Sequence, residues 1–192
     1  MNPVKEFFEN LADSWNNDGN NYEAIEELFK LVNIKNGDRV LDLGCGKGVI
    51  SPYIFKYSNT KVIGLDLSER MIEGAIKINN DINKYEYHVG DFIDYEFSYK
   101  FDKIIIFNAF PHFLDKEALA KKANDQLADF GYLIIMHDLG KERLNNHHNE
   151  KANDISCGLN SPEEEYEYFS KYFILENSID LEDRYLMVLK RA

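Results

Sequence analysis

Short apolar runs recur along the chain, separated by stretches in which apolar residues return every third or fourth position. The runs are Arg39–Gly44, Lys61–Leu67, Tyr85–Asp91, Phe101–Asn108 and Gly131–Leu139, followed by Phe173–Asp180 and Arg184–Arg191. Those rich in Val, Ile and Leu lack strict polar alternation, as expected of strands buried on both faces. Between them, Tyr22, Ile25, Leu28, Phe29 and Val32 share one helical face, and Met71, Ile72, Ala75 and Ile76 another. Ser68 stands at the N-cap of the second of these. Asp115 stands at the N-cap of a segment carrying Ala118, Leu119, Ala123 and Leu127. Ser161-Pro162-Glu163-Glu164 predicts a helix start closed by a capping box, with proline in the first turn.

Strand and helix alternate at a spacing that predicts an α/β fold: a three-layer, doubly wound domain around a mostly parallel seven-stranded sheet. Only Leu181, Glu182 and Asp183 separate the last two runs. That is too short for a parallel crossover, so these runs form a C-terminal hairpin and one of them runs antiparallel to the rest. No repeat or linker interrupts the pattern, and residues 1–192 read as one domain. Residues 140–160 are polar and without clear period, which predicts a long loop or lid. The acids Glu163, Glu164, Glu165 and Glu167 read as a solvated helix face.

Charge narrows the partners. With 22 basic and 34 acidic residues the net charge is −12. Such a surface repels nucleic-acid phosphates and anionic lipid, so neither is an expected partner. Cys45 and Cys157 are too few and too far apart for a disulfide framework or a zinc knuckle. The N-terminus, MNPVKEFFENLADSW, is broken by acids and does not read as a signal peptide. The longest near-apolar runs, about eight residues, are too short to span a bilayer. A cytoplasmic protein is the expectation.

Val40-Leu41-Asp42-Leu43-Gly44-Cys45-Gly46-Lys47-Gly48 is the most informative stretch. A buried strand runs into three glycines at alternate positions. Glycine accepts positive φ and lets backbone approach a ligand, and this turn is where open α/β sheets bind nucleotide-like molecules. A phosphate-binding GxxxxGK[ST] loop is excluded, because Leu41 and Gly48 stand where it needs glycine and Ser or Thr. A dinucleotide GxGxxG loop starting at Gly44 is disfavoured by Val49. What remains is DxGxGxG. Asp66, 18 residues after Gly48, ends the next run, where an acid accepts bonds from both hydroxyls of a ribose. This fixes a nucleoside but not which one.

The chain resembles the class I S-adenosylmethionine-dependent methyltransferases, which share a Rossmann-like fold. VLDLGCGKG is similar to that family's first motif. VIGLDLSERMI, Gly90-Asp91-Phe92 and FDKIIIFNAFPHF match its second-, third- and fourth-strand motifs in order, and Gly131-Tyr132-Leu133 stands at its loop-and-strand position. FFENLADSW resembles the cap helix of its small-molecule members, assigning residues 1–20 to that cap. The resemblance implies S-adenosylmethionine as cofactor and a small-molecule methyl acceptor. It places Asp91 at the adenine amino group, with Phe92 beside the ring. Asp42 then helps order the glycine turn and the methionine end, Gly44, Gly46 and the backbone near Asn108 line that end, and Cys45, Gly48, Leu67, Met71 and Gly90 complete the implied cofactor-binding set. The [DN]PP[YFW] tetrapeptide of amino-methylating enzymes acting on adenine or glutamine is absent, since Ala109 and Phe110 replace its two prolines.

Methyl transfer needs a nucleophile held close and in line, and a base only where the acceptor must lose a proton. His112 follows the fourth run, and His137 and Asp138 end the fifth, on the same expected rim. His112, and after it His137, are the candidates to contact the acceptor or act as base. The alternative for each is a packing histidine. His137, Asp138, His147 and His148 could also be read as metal ligands, but their spacing matches no metal motif and no metal is assigned. Lys47 reads as solvated and Cys45 as a small packing residue. Val4, Phe7, Phe8, Leu11 and Trp15 follow helical spacing, either packed on the domain or covering the acceptor pocket. A cofactor-binding regulatory protein without catalysis is the main functional alternative.

Overall fold

The computed structural model describes residues 2–16, 19–149 and 155–192. Among the described residues seven strands form one sheet: β1 Val40–Leu43, β2 Val62–Asp66, β3 Tyr85–Val89, β4 Phe101–Phe107, β5 Leu127–His137, β6 Phe173–Leu181 and β7 Arg184–Arg191. Their order is β3-β2-β1-β4-β5-β7-β6. β1 to β5 are parallel, and β7 runs antiparallel between β5 and β6, closing the expected hairpin.

The apolar runs are continuous because the sheet has a core on each side. Successive strand residues point to opposite faces. Leu41, Leu43, Ile104, Ile106, Leu133 and Ile135 face Leu119, Ala120 and Ala123 of α5 (Lys116–Gln126). Val40, Ile105, Phe107, Ile134 and Met136 face Ile25, Leu28 and Phe29 of α2 (Tyr22–Leu31) and Ile54 of α3 (Ser51–Ser58). Helix starts follow the sequence. The Ser68 hydroxyl accepts from Met71 N at the head of α4 (Glu69–Ile78), and the Asp115 carboxylate accepts from Ala118 N at the head of α5. Ser161 and Glu164 make a reciprocal capping box at α7 (Pro162–Tyr166). At the N-terminus, the Asn2 side chain caps α1 (Pro3–Leu11).

Three expectations are corrected. The segment from 140 begins with a helix, α6 (Lys141–Asn149), not a loop. It lacks an apolar period because it is anchored by Leu144, which is buried, and by Asn145, whose side chain donates to Leu159 O and accepts from Leu159 N. Residues 150–154 lie outside the described residues. Glu165 is not solvated: it is fully buried and paired with Lys116 Nζ at 2.6 Å. β5 starts at Leu127 rather than Gly131, through an irregularity in its pairing with β4. Among the described residues no helix is long and apolar enough to cross a membrane.

Strand order reverses between β1 and β4, which opens a crevice at their carboxyl ends. The glycine turn and Asn108 both sit there.

Candidate active site

The glycine turn takes the left-handed conformation at each glycine, with φ of 68° at Gly44, 50° at Gly46 and 71° at Gly48. Gly44 N donates to Leu65 O at 2.8 Å, drawing the turn back over β2. A Cβ at Gly44 would fall 2.7 Å from the Cβ of Ala109, so the turn after β1 and the corner after β4 are in contact. A Cβ at Gly46 would meet nothing within 4 Å. The middle of the bend therefore faces open space.

Asp66 ends β2 beside this bend. Its Oδ2 accepts from Gly46 N at 2.8 Å and its Oδ1 from Ser68 N at 2.9 Å. A carboxylate offers about four lone-pair positions, so each oxygen retains an accepting position after these bonds. Burial raises the Asp66 pKa, against the lowering effect of these amides. Gly90 N donates to Asp66 O at 2.9 Å, bringing the end of β3 alongside. Leu67 is half-buried next to it. Asp91 Oδ1 accepts from Ile93 N at 3.0 Å and remains half-exposed.

Several expected contacts turn inward. Phe92 is 2% exposed and packs in the core with Leu41 and Leu65, so its ring offers no stacking face. Met71 is 2% exposed and its N–H is taken by Ser68 Oγ. The Cys45 side chain is buried, its thiol pKa pushed up by that burial, and Cys45 N donates to Leu65 O. An apolar residue flanking such a site is drawn to the nearer core, and one-dimensional pattern does not say which way it turns.

Asp42 lies beneath the turn, 1% exposed, accepting from Ser51 Oγ at 2.8 Å. It ties β1 to the first residue of α3 rather than facing the cleft. Nearby, Asn79 Nδ2 donates to Gly48 O and to Tyr87 Oη, both at 2.9 Å, a brace with no short-range sequence signature. Burial pushes the Asp42 carboxyl from its ordinary 3.8 up to about 7. A folded-state pKa above the unfolded one means the folded protein holds the extra proton. The associated stability is complete below about 4 and is lost as pH rises through about 7. Asp42→Asn, neutral at every pH, is expected to gain about 2–3 kcal/mol over the wild type as pH rises from about 5 to about 8. Urea denaturation across that range checks it, and parallel pH profiles would refute it.

Across the crevice, β4 ends at Phe107, and Asn108 leads into a 3-10 turn, Phe110–His112. His112 is half-buried, its Nδ1 is 2.8 Å from Ile155 O, and Phe8 of α1 meets its ring edge-on at 4.9 Å. A carbonyl only accepts, so Nδ1 carries the proton and Nε2 is the nitrogen that takes a proton in the neutral ring. His137 is corrected: with no exposed surface, it packs edge-on against Tyr185 inside the sheet and not on the rim. Asp138 is 4% exposed, and its oxygens accept from Asn108 Nδ2 and Asn21 N, both at 2.7 Å. Side chains of His147 and His148 lie outside the described residues.

The N-terminal helix lies beside this cleft through contacts the sequence did not suggest. Glu9 Oε1 accepts from Glu69 N at 2.7 Å, and Arg70 pairs with Asp13. Lys47 is not simply solvated, since its Nζ donates to Trp15 O at 2.7 Å. Partners this distant carry no sequence signal.

Residues 34–172, more than half of the chain, match the family described as a methyltransferase domain. An (S)-coclaurine N-methyltransferase from Thalictrum flavum subsp. glaucum is 30% identical over 119 residues, which is 59% of this chain and 33% of that protein. The chain thus spans about a third of that relative's length. A chain from the complex of the Haloferax volcanii Trm112 methyltransferase activator with a methyltransferase superposes with a TM-score of 0.83 at 19% identity, covering 98% of this chain and 97% of that one. The N-methyltransferase NodS from Bradyrhizobium japonicum WM9, in complex with S-adenosyl-L-homocysteine, superposes with a TM-score of 0.75 at 15% identity, covering 100% and 99%. At these identities the two structures show the fold alone.

Proposed function

The chain belongs to the class I S-adenosylmethionine-dependent methyltransferase family, and on that premise we propose that it transfers the methyl group of S-adenosylmethionine to the nitrogen of a small amine. The observation that carries the reading is the pairing of an open glycine bend at Gly46 with an acid, Asp66, that holds the bend's amide and keeps accepting positions to spare. That donor set fits a nucleoside with free sugar hydroxyls and an amino-acid tail. Asp66 would accept from the two hydroxyls, and Asp91 would meet the base. Backbone at Gly44, Gly46 and Asn108 would line the tail.

When bound, the cofactor supplies a methyl group already activated by a positively charged sulfur. The protein's task is to hold the acceptor in line and to exclude water. An amine in its ammonium form has no lone pair and must first lose a proton. His112, with Nδ1–H committed to Ile155 O, has Nε2 as the nitrogen to take that proton. Phe8, edge-on to the same ring, would form part of an apolar wall around the acceptor. Nitrogen as the accepting atom is supported by the name of the Thalictrum flavum relative, an N-methyltransferase.

His112→Ala is expected to reduce turnover about a hundredfold, while affinity for S-adenosylhomocysteine stays within about twofold of the wild type. A panel of small amines with labelled S-adenosylmethionine, plus calorimetry with the demethylated product, reads both. Unchanged turnover would remove His112 from the mechanism. Absence of any cofactor heat would overturn the whole reading.

A further inference from the structure

Asp138 follows β5 directly and serves two distant parts of the chain. Its Oδ1 accepts from Asn108 Nδ2 at 2.7 Å, while its own N–H donates to Asn108 Oδ1 at 3.2 Å. Both ends of one side-chain amide are thus clamped by one residue. Oδ2 is engaged separately, by Asn21 N at the head of α2. At 4% exposure these bonds are shielded from competing water.

The clamped residue is unusual. Asn108 has φ of 52°, in the left-handed region. A residue with a Cβ pays roughly 1 kcal/mol or more to stay there, asparagine being among the more tolerant. Its N–H donates to Met136 O at 3.1 Å, so the left-handed turn comes at the last rung of the ladder with β5. The turn directs Ala109 against Gly44, where a Cβ on the glycine would be only 2.7 Å away. It also begins the 3-10 turn that carries His112.

We propose that Asp138 is a positioning residue. By clamping the Asn108 amide it holds the β4 corner in the left-handed turn, which keeps Ala109 on the glycine bend and His112 on the acceptor side. It does so without touching cofactor or acceptor. The proposal rests on the reading of this cleft as the methyl-transfer site.

The test uses glycine's freedom at position 108. Glycine takes positive φ without penalty, so a corner built on it has less need of the clamp. Asp138→Ala in the wild-type background is expected to weaken S-adenosylhomocysteine affinity about tenfold, the scale of a lost hydrogen bond to a charged group. In an Asn108→Gly background the same change is expected to cost less than about twofold, a strongly non-additive cycle. Loss of equal size in both backgrounds would overturn the proposal, since Asp138 would then act through Asn21 or through general stability. Loss in neither background would overturn it too.

A second readout needs no ligand. The amide resonances of Gly44 and Ala109 are expected to move in Asp138→Ala, and to move far less when that change is added to Asn108→Gly. Resonances that stay in place would sink the proposal. If the wild type binds no cofactor product at all, the reading of the cleft fails, while this arm still decides whether Asp138 holds the corner. Should alanine prevent folding, Asp138→Asn carries the same cycle. Its one amide oxygen can serve Asn108 or Asn21 but not both, so a smaller loss of the same non-additive form is expected.

Discussion

Glu165→Gln is expected to lower stability by about 3–5 kcal/mol, the usual effect of breaking a buried ion pair from one side. The Glu165 side chain has no exposed surface and that of Lys116 is 6% exposed. Lys116 Nζ donates to both carboxylate oxygens, at 2.7 and 2.6 Å. The same carboxylate accepts from Asn160 N and Asn160 Nδ2, so it joins α5 to the segment that leads into α7. Phe110 lies 4.8 Å from the ammonium and adds a cation–π contact. Glutamine keeps the shape and one accepting oxygen but strands a buried positive charge, and the effect comes from that charge.

For a chain of this size such a loss lowers the melting temperature by roughly 10 °C or more. Lys116→Met added to Glu165→Gln removes the stranded charge and leaves the glutamine oxygen for Asn160. The double variant is therefore expected to be more stable than Glu165→Gln alone, because a paired deletion avoids the desolvated single ion. Thermal and urea unfolding of the four proteins decide it. Additive losses would show that the pair does not act as a unit.

Asp66→Ala is expected to weaken S-adenosylhomocysteine binding by at least about a hundredfold. Two hydrogen bonds from hydroxyls to a carboxylate, at about 1.5 kcal/mol or more each, give that scale. The variant also frees Gly46 N, whose partner at 2.8 Å is this carboxylate, so the bend loses part of its support. Calorimetry measures the effect, and affinity equal to wild type would disprove the role.

The same residue sets a pH dependence. Protonation would commit one carboxyl oxygen to its own O–H and weaken the acceptor, and burial raises the Asp66 pKa above its ordinary 3.8. Wild-type affinity is therefore expected to fall on acidification sooner than an ordinary carboxylate would predict, and Asp66→Ala should lack that fall. Titrations repeated from neutral to mildly acidic pH distinguish the two.

The features readable from sequence are those whose partners lie within a few positions or that follow a simple period. Ser68 with Met71, Asp115 with Ala118, and Ser161 with Glu164 are each three residues apart. Backbone geometry brings such pairs together once a helix begins, whatever surrounds it. Unbroken apolar runs required a core on each side of the sheet, and Leu181–Asp183 left room only for a hairpin. Glycines at alternate positions followed by a strand-end acid likewise marked the cleft before any fold was known.

Tertiary structure decided what depended on distant partners. Glu165 looked like its solvated neighbours until Lys116, 49 positions away, met it in the interior. Helix α6 has no apolar period because Leu144 and the bonds of Asn145 to Leu159 hold it. His137 and Phe92 stood beside the expected site in sequence, yet both rings are buried, Phe92 in the core and His137 edge-on to Tyr185. Asp138 gained its place from Asn108 and Asn21, 30 and 117 positions away. The physical reason is common to all of them: a side chain's burial and partners depend on strand order and register, and those are set by the packing of the whole sheet, which local pattern does not encode.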